Sequence, residues 1–342
     1  MIYQLIDEPT GTLIEEGTNQ PATPVEPGTY QIRIFTDNSP TFEVIDFSVD
    51  EQGEPSGQTR RTTTESALAT KRKLRTLRRT FTLPVTAIHK NRSLIRTLVR
   101  RDVLSRYSGS YGGAFWAVLN PLLLMLTYFF VFGIVLNSRF PGDPSRSGFA
   151  LYYLAGFLPW LAFSEALGRA PFTMVEHRSF IKKLVFPVEI LPVNLVVSGL
   201  VTEFFGVIIF AIALLLLRGH VPVTALYLPL LVIPQVLFTA GMCWFLSALG
   251  VFFRDLAQIN GFLITIWFFI TPICYPEDSV AKFPLLHLNP IYVLVRNYRA
   301  IFLESKAPDW HSLALLTLVS LAVFLAGHAW FYKLRKSFAD LI

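Results

Sequence analysis

Glu189-Ile-Leu-Pro-Val-Asn-Leu-Val-Val-Ser-Gly-Leu-Val-Thr-Glu-Phe-Phe-Gly-Val-Ile-Ile-Phe-Ala-Ile-Ala-Leu-Leu-Leu-Leu217 carries only one ionisable side chain after its first residue, Glu203. No water-exposed helix is written this way. A helix needs about 20 mostly apolar residues to cross the hydrocarbon core of a bilayer, and in lipid its backbone must find every hydrogen-bond partner internally. Five further stretches read the same way, at roughly 114–137, 149–169, 225–252, 257–276 and 311–332, which makes six expected spans. Pro121, Pro159, Pro192, Pro229 and Pro234 lie inside or at the ends of these runs, a pattern that membrane helices tolerate. The expected fold is mainly α, a polytopic membrane protein.

Composition agrees. Apolar residues make up 52% of the 342 and charged residues 16%, against about 25% charged in soluble domains. So few charges could hardly cover a surface that faced water alone. Their distribution divides the chain into three zones. Residues 1–60 hold eleven acids and two bases, residues 61–107 thirteen bases and two acids, and the remainder fifteen bases and eleven acids. Cys243 and Cys274 both lie in apolar runs and offer neither metal spacing nor a disulfide framework.

Upstream of the spans, Tyr30-Gln-Ile-Arg-Ile alternates with period two, and Phe42-Glu-Val does the same before Ile45, Phe47 and Val49 change phase. That predicts a small acidic antiparallel module of about four strands over residues 1–52, with a bulge at Val44-Ile45 and turns at Pro9-Thr-Gly and Asp37-Asn-Ser-Pro. Met1-Ile-Tyr-Gln-Leu-Ile-Asp-Glu lacks the basic start and apolar run of a signal peptide, and Arg60-Arg61 is followed by no apolar core. A polar and basic linker is expected over 53–88, polar from Gly53 to Ser66, with Pro84 interrupting a helix-compatible basic stretch.

An amphipathic helix is expected over 89–110. Leu94, Ile95, Leu98, Val99 and Val103 share one face, and Arg92, Arg96 and Arg100 form a ridge on another, with Arg101 and Arg106 nearby. This is the pattern of an interfacial helix on anionic lipid. The six-span domain then fills 111–342. Lys and Arg concentrate before span one, in the loop with Arg178, Lys182 and Lys183, and in the tail with Lys333, Arg335 and Lys336, which puts both termini in the cytosol. Against that rule, Lys282, Arg296, Arg299 and Lys306 would lie outside, a hint of contact with an anionic substrate. Glu165 and Arg169, four apart, are expected to pair along one helix face.

Several chemistries are missing. There is no Gly-x-x-x-x-Gly-Lys-Ser/Thr loop, so ATP hydrolysis by this chain is not expected, and no cofactor or metal site is expected either. Gly109-Ser-Tyr-Gly-Gly lacks the strand and spacing of a nucleotide turn, and Asn91-Arg-Ser sits in a basic stretch expected to be cytosolic.

Arg101-Asp-Val-Leu-Ser-Arg-Tyr with Gly112-Gly-Ala-Phe-Trp-Ala-Val-Leu-Asn-Pro-Leu-Leu resembles the opening of ABC type 2 permeases, most nearly the subgroup that exports O-antigen, capsule and teichoic acid glycans. Ile181-Lys-Lys-Leu-Val-Phe-Pro-Val-Glu-Ile-Leu-Pro, Phe253-Arg-Asp-Leu, and Thr271-Pro-Ile-Cys-Tyr-Pro with Asn289-Pro-Ile-Tyr-Val-Leu-Val-Arg-Asn-Tyr-Arg resemble later family segments in the same order. The resemblance spans about 90–342. It implies a homodimeric permease in the inner membrane that docks two separate ATPase subunits, which bind the ATP and Mg²⁺, and passes a lipid-linked polysaccharide outward. It implies a coupling helix at Glu176, His177, Arg178, Lys182 and Lys183, and an external, partly inserted gate at Asn289, Pro290, Arg296 and Arg299. Tyr128, Phe132 and Trp160 are candidate channel aromatics, although aromatics also serve as interfacial belts and packing. The β module lies outside the resemblance. A drug or lipid cargo, a proton-driven flippase and a membrane glycosyltransferase are the alternatives. The external acids Asp143, Glu277, Asp278 and Asp309 show no catalytic spacing for the last of these.

Overall fold

The computed structural model describes residues 2–7, 13–17, 27–35, 41–50, 54–64, 84–105, 115–135, 145–183, 186–253, 255–277, 286 and 288–341. They fall into two units, Met1–Arg79 and Thr80–Ile342.

The described residues of the first unit form one antiparallel sheet of five strands, β1 (Ile2–Asp7), β2 (Leu13–Gly17), β3 (Gly28–Phe35), β4 (Thr41–Val49) and β5 (Pro55–Thr64), in the order β2-β1-β3-β4-β5. The fifth strand corrects the expected linker. Thr59, Thr62, Thr63 and Thr64 are β-branched and suit a strand, and β5 pairs with β4 from Thr41↔Thr64 to Val49↔Pro55. The expected bulge also moves. Pairing of β3 with β4 runs unbroken through Val44 and Ile45. The irregularity lies between Asp46 and Ser48 on the β5 side, where Gly57 has φ 69°, the left-handed geometry a bulge glycine supplies. The phase change in the sequence has another cause: both faces bury apolar groups. Val44 is buried on one, while Phe47 and Val49 join Leu5 and Tyr30 on the other.

In the second unit, Pro84 opens a helical run over 84–90 instead of interrupting one, as suits a residue whose missing N–H costs nothing at a helix start. Then come α1 (Arg92–Ser105), α2 (Trp116–Tyr128, continued by a π-helical segment Phe129–Val135), α3 (Arg146–Arg169), α4 (Thr173–Glu176), α5 (Arg178–Lys183), α6 (Ile190–Arg218), α7 (Leu228–Phe252), α8 (Leu256–Ile270), α9 (Pro290–Phe302), α10 (Trp310–Leu334) and α11 (Phe338–Leu341). Among the described residues, four helical stretches are long and apolar enough to cross a membrane: Ser147–Glu176, Ile190–Arg218, Val223–Phe252 and Trp310–Leu334. Leu122–Val135 and Leu256–Ile270 are apolar but shorter. Phe204, Ile208, Ile212 and Leu215 on α6 are all exposed, a face that suits lipid and not water.

The expected span 257–276 ends early for a local reason. Thr271 is extended (φ −82°, ψ 126°), as the residue before Pro272 should be. The 15 residues of α8 therefore reach about 22 Å, short of a core of about 30 Å. The chain turns instead and returns as α9, which is buried on most of its surface against α3 and α7.

Close helix approaches organise the bundle. A methyl on Gly327 of α10 would collide with the carbonyl oxygen of Gly241 on α7, so both positions need glycine for their backbones to touch. A Cβ on Gly199 of α6 would sit 2.7 Å from the Ala162 carbonyl oxygen of α3. The apolar face of α1 also finds protein. Ile95, Leu98 and Val99 are 7%, 6% and 9% exposed, and α1 packs on α6. The interfacial reading is corrected to that extent: the Arg92, Arg96, Arg100 and Arg101 ridge faces outward, but the face expected to enter lipid is already covered.

Candidate functional site

The charged bend after α3 presents Glu176, Arg178 and Lys182 as exposed side chains and His177 as half-buried. Lys183 closes α5, and its side chain lies outside the described residues. Phe172 and Val175, each 47% exposed, add an apolar tip that sequence reasoning passed over. The bend is held firmly. A Cβ on Gly250 of α7 would meet the Pro171 carbonyl, so the two backbones are in contact. Phe180 packs against Phe186 at 5.4 Å and lies under the Arg101 guanidinium of α1 at 5.5 Å.

The expected neighbour of Arg169, Glu165, is joined by a partner on another helix. Arg169 grips Asp102 of α1 with both nitrogens, at 2.8 and 2.6 Å, because α1 lies alongside and a carboxylate matches the guanidinium fork. Arg106 lies outside the described residues.

A second cluster gathers around α9. Asn289 caps the helix by accepting the Ile291 N–H at 3.1 Å, accepts from Trp267 Nε1 at 2.9 Å, and donates to Thr271 Oγ1 at 2.9 Å. Pro290 stands at the first helical position, where proline is favoured. Arg299 is fully engaged. Its side chain is 1% exposed and bonds Glu277 at 3.0 Å, the Pro272 and Ile273 carbonyls at 2.8 and 3.2 Å, and the Tyr152 carbonyl at 3.3 Å. Its guanidinium sits 3.5 Å from the Tyr152 ring centroid, in space left by Gly156. Arg296, 51% exposed, reaches Glu277 at 3.2 Å and Glu304 at 3.4 Å, and Lys306 pairs with Glu304 at 3.0 Å. The reading of these cations as free for an anionic substrate is thus corrected for Arg299, whose counter-ion is Glu277. Lys282 lies outside the described residues.

A third cluster lies deep among the long helices. Glu203 of α6, Gln235 of α7 and Tyr298 of α9 are 3%, 1% and 0% exposed. Tyr298 Oη is 2.5 Å from Glu203 Oε1 and 3.1 Å from Gln235 Oε1. Gln235 Nε2 is 2.6 Å from Glu203 Oε2 and 3.4 Å from the Pro159 carbonyl.

Against this architecture, the model of the ABC-2 type transporter family matches residues 93–303, which holds the charged bend, α9 and the buried cluster. The chain belongs to the ABC-2 type transporter family. It is 34% identical over 263 residues to the O-antigen export system permease protein RfbA of Myxococcus xanthus, covering 75% of this chain and 98% of that protein. A Klebsiella pneumoniae protein of the same name is 29% identical over 254 residues, 73% of this chain and 95% of its own length. The polysialic acid transport protein KpsM of Escherichia coli is 23% identical over 240 residues, 68% and 91% of the two chains. The sheet of the first unit lies outside the residues that the ABC-2 model matches.

Within the ABC-2 domain the aromatics expected to line a channel divide. Tyr128 and Phe132 are half-buried and stacked at 6.4 Å. Trp160 is 5% exposed and packs on Phe268 at 5.4 Å and Phe163 at 5.7 Å. That makes Trp160 a packing residue, covered on more than one side. Tyr128 meets the same Phe268 ring at 5.3 Å, and Tyr153 at 5.9 Å.

Proposed function

We propose that the chain is the membrane-spanning permease subunit of an ATP-driven exporter, and that it moves a lipid-linked polysaccharide such as O-antigen outward across the inner membrane. The supporting observation is the 34% identity to an O-antigen export permease over 98% of that protein's length. In this reading two copies form the pathway with six spans each, both termini are cytosolic, and two separate subunits bind ATP and Mg²⁺.

The geometry offers a transmission device for that reading. The tip formed by Phe172, Val175, Glu176, Arg178 and Lys182 mixes apolar and charged groups, as a docking surface for an ATPase groove should. It is joined to α7 by backbone contact and to α1 through Arg169–Asp102 and Arg101–Phe180. A push on the tip would therefore move packed helices as rigid bodies. Likeness to KpsM makes a capsular glycan the second reading of the cargo.

The test is co-expression with the candidate ATPase subunit and purification on a tag carried by the permease. The proposal expects a stable complex whose ATPase rate depends on the permease. Failure to co-purify, or an ATPase rate indifferent to the permease, would remove it. Lys182→Ala with Lys183→Ala should weaken the complex or its coupling.

A further inference from the structure

Glu203 poses a question that export does not answer. It is the fourteenth of the 29 residues of α6, about 20 Å from either end of the helix. All its hydrogen-bond partners among the described residues are neutral, Tyr298 and Gln235. Arg299, which follows Tyr298 in sequence, turns away to Glu277. An ionised carboxylate in that position would be a buried charge without a counter-ion, the costliest arrangement a side chain can adopt.

Counting protons gives the same answer. Three contacts close a ring: Glu203 Oε1 to Tyr298 Oη, Tyr298 Oη to Gln235 Oε1, and Gln235 Nε2 to Glu203 Oε2. Each contact needs one hydrogen. Gln235 supplies the third and keeps a second N–H for the Pro159 carbonyl. Tyr298 has one hydrogen for two oxygen neighbours. If Glu203 is ionised, Tyr298 donates to it, and Gln235 Oε1 is left facing a hydroxyl lone pair. If Glu203 is a carboxylic acid, it donates to Tyr298, Tyr298 donates to Gln235, and Gln235 donates back. Every donor then has an acceptor, which is the condition for a buried polar network to stabilise.

We propose that Glu203 is held as a neutral acid whose proton completes this ring, and that the ring clasps α9 to α6 and α7. The claim is independent of the cargo. It assigns Glu203, Gln235 and Tyr298 as positioning residues for α9 and, through Arg299, for the turn at Thr271–Tyr275 whose carbonyls Arg299 binds.

That turn carries its own reporter. Cys274 is 2% exposed, and Cys243 on α7 is the other of the two cysteines. In a Cys243→Ala background, maleimide labelling of Cys274 in the full-length protein reads how well α9 covers the turn. Tyr298→Phe and Glu203→Ala should label at least about tenfold faster than the parent, the equivalent of one buried hydrogen bond of about 1.4 kcal/mol. Glu203→Gln should label at the parental rate, because its amide donates to Tyr298 and its carbonyl accepts from Gln235, as the acid does. Parental rates in Tyr298→Phe and Glu203→Ala would overturn the clasp. Fast labelling or failure to fold in Glu203→Gln would overturn the neutral acid. Infrared spectra of the parent and Glu203→Gln need neither disruptive variant. A protonated-carboxyl band lost in Glu203→Gln is expected, and its absence from the parent would refute the proposal.

Discussion

Glu277→Gln tests how the α9 cluster is held. The substitution keeps the size of the side chain and a carbonyl oxygen near Arg299 Nη1, and removes only the charge. Arg299 is 1% exposed and Glu277 15% exposed, so water cannot replace the lost counter-ion. Breaking a buried pair from one side costs about 3–5 kcal/mol. Here the Pro272, Ile273 and Tyr152 carbonyls and the Tyr152 ring remain around the guanidinium, which brings the expected loss to about 2–3 kcal/mol. At about 2–4 °C per kcal/mol for a chain of this order, thermal unfolding in detergent should fall by about 5–10 °C. A cycle with Arg299→Met separates charge from packing. Once the cation is gone, Glu277→Gln should cost almost nothing further, giving a coupling of at least about 1.5 kcal/mol. Arg296→Ala is the control, since its 51% exposure limits the loss to about 1 kcal/mol. A melting point for Glu277→Gln within about 1 °C of the parent, or strictly additive behaviour in the cycle, would refute the assignment of Glu277 as the counter-ion of Arg299.

Three shorter predictions follow from the same structure. Asn289→Ala removes a helix cap together with its bonds to Trp267 and Thr271; a loss of about 2–3 kcal/mol is expected in thermal unfolding. Gly327→Leu should abolish monodisperse protein in size-exclusion chromatography, whereas Gly219→Ala, at a position with nothing within 4 Å but φ 77°, should cost only about 1 kcal/mol of backbone strain. If export is ATP-driven as proposed, Asp102→Ala should leave the permease folded but lower the cargo moved per ATP hydrolysed, since it removes one of the two ties between α1 and the bend and leaves only Arg101–Phe180; unchanged coupling would show that the pair serves packing alone.

What could be read from the chain before folding depended on the range of each signal. Apolar runs such as 190–217 announce themselves locally, and α3, α6, α7 and α10 sit where hydropathy puts them. The end of α8 was legible too, in Thr271-Pro272, but a count of apolar residues runs past it. Pairings were not legible. Arg169 and Asp102 are separated by 67 residues, Arg299 and Glu277 by 22, and Tyr298 and Glu203 by 95. Helical periodicity offers Arg169 the neighbour at i−4, Glu165, and cannot say that another helix brings Asp102 to it as well. β5 was hidden by composition, because a polar edge strand and a polar linker share the same residues. Phe172 and Val175 were passed over because they fall between the expected span 149–169 and the charged residues that begin at Glu176.

Helix α3 connects the two ends of this account. Near one end Tyr152 and Gly156 seat the Arg299 guanidinium, in the middle the Pro159 carbonyl accepts from Gln235, and at the far end Arg169 holds Asp102. From Tyr152 to Arg169 is about 26 Å along one continuous helix. A helix packed on α6 through Gly199 and Ala162 cannot bend freely between these points, so displacement at Arg169 must shift the groups that seat α9 or break them. The buried ring is the contact to watch, because it joins α6, α7 and α9 through hydrogen bonds that can exchange partners, whereas the Gly241–Gly327 crossing holds α7 to α10 by steric contact and cannot. If the proposed ATPase docks on the bend, the mechanical consequence is therefore specific: α7 and α10 move together, and α9 is the element free to part from them.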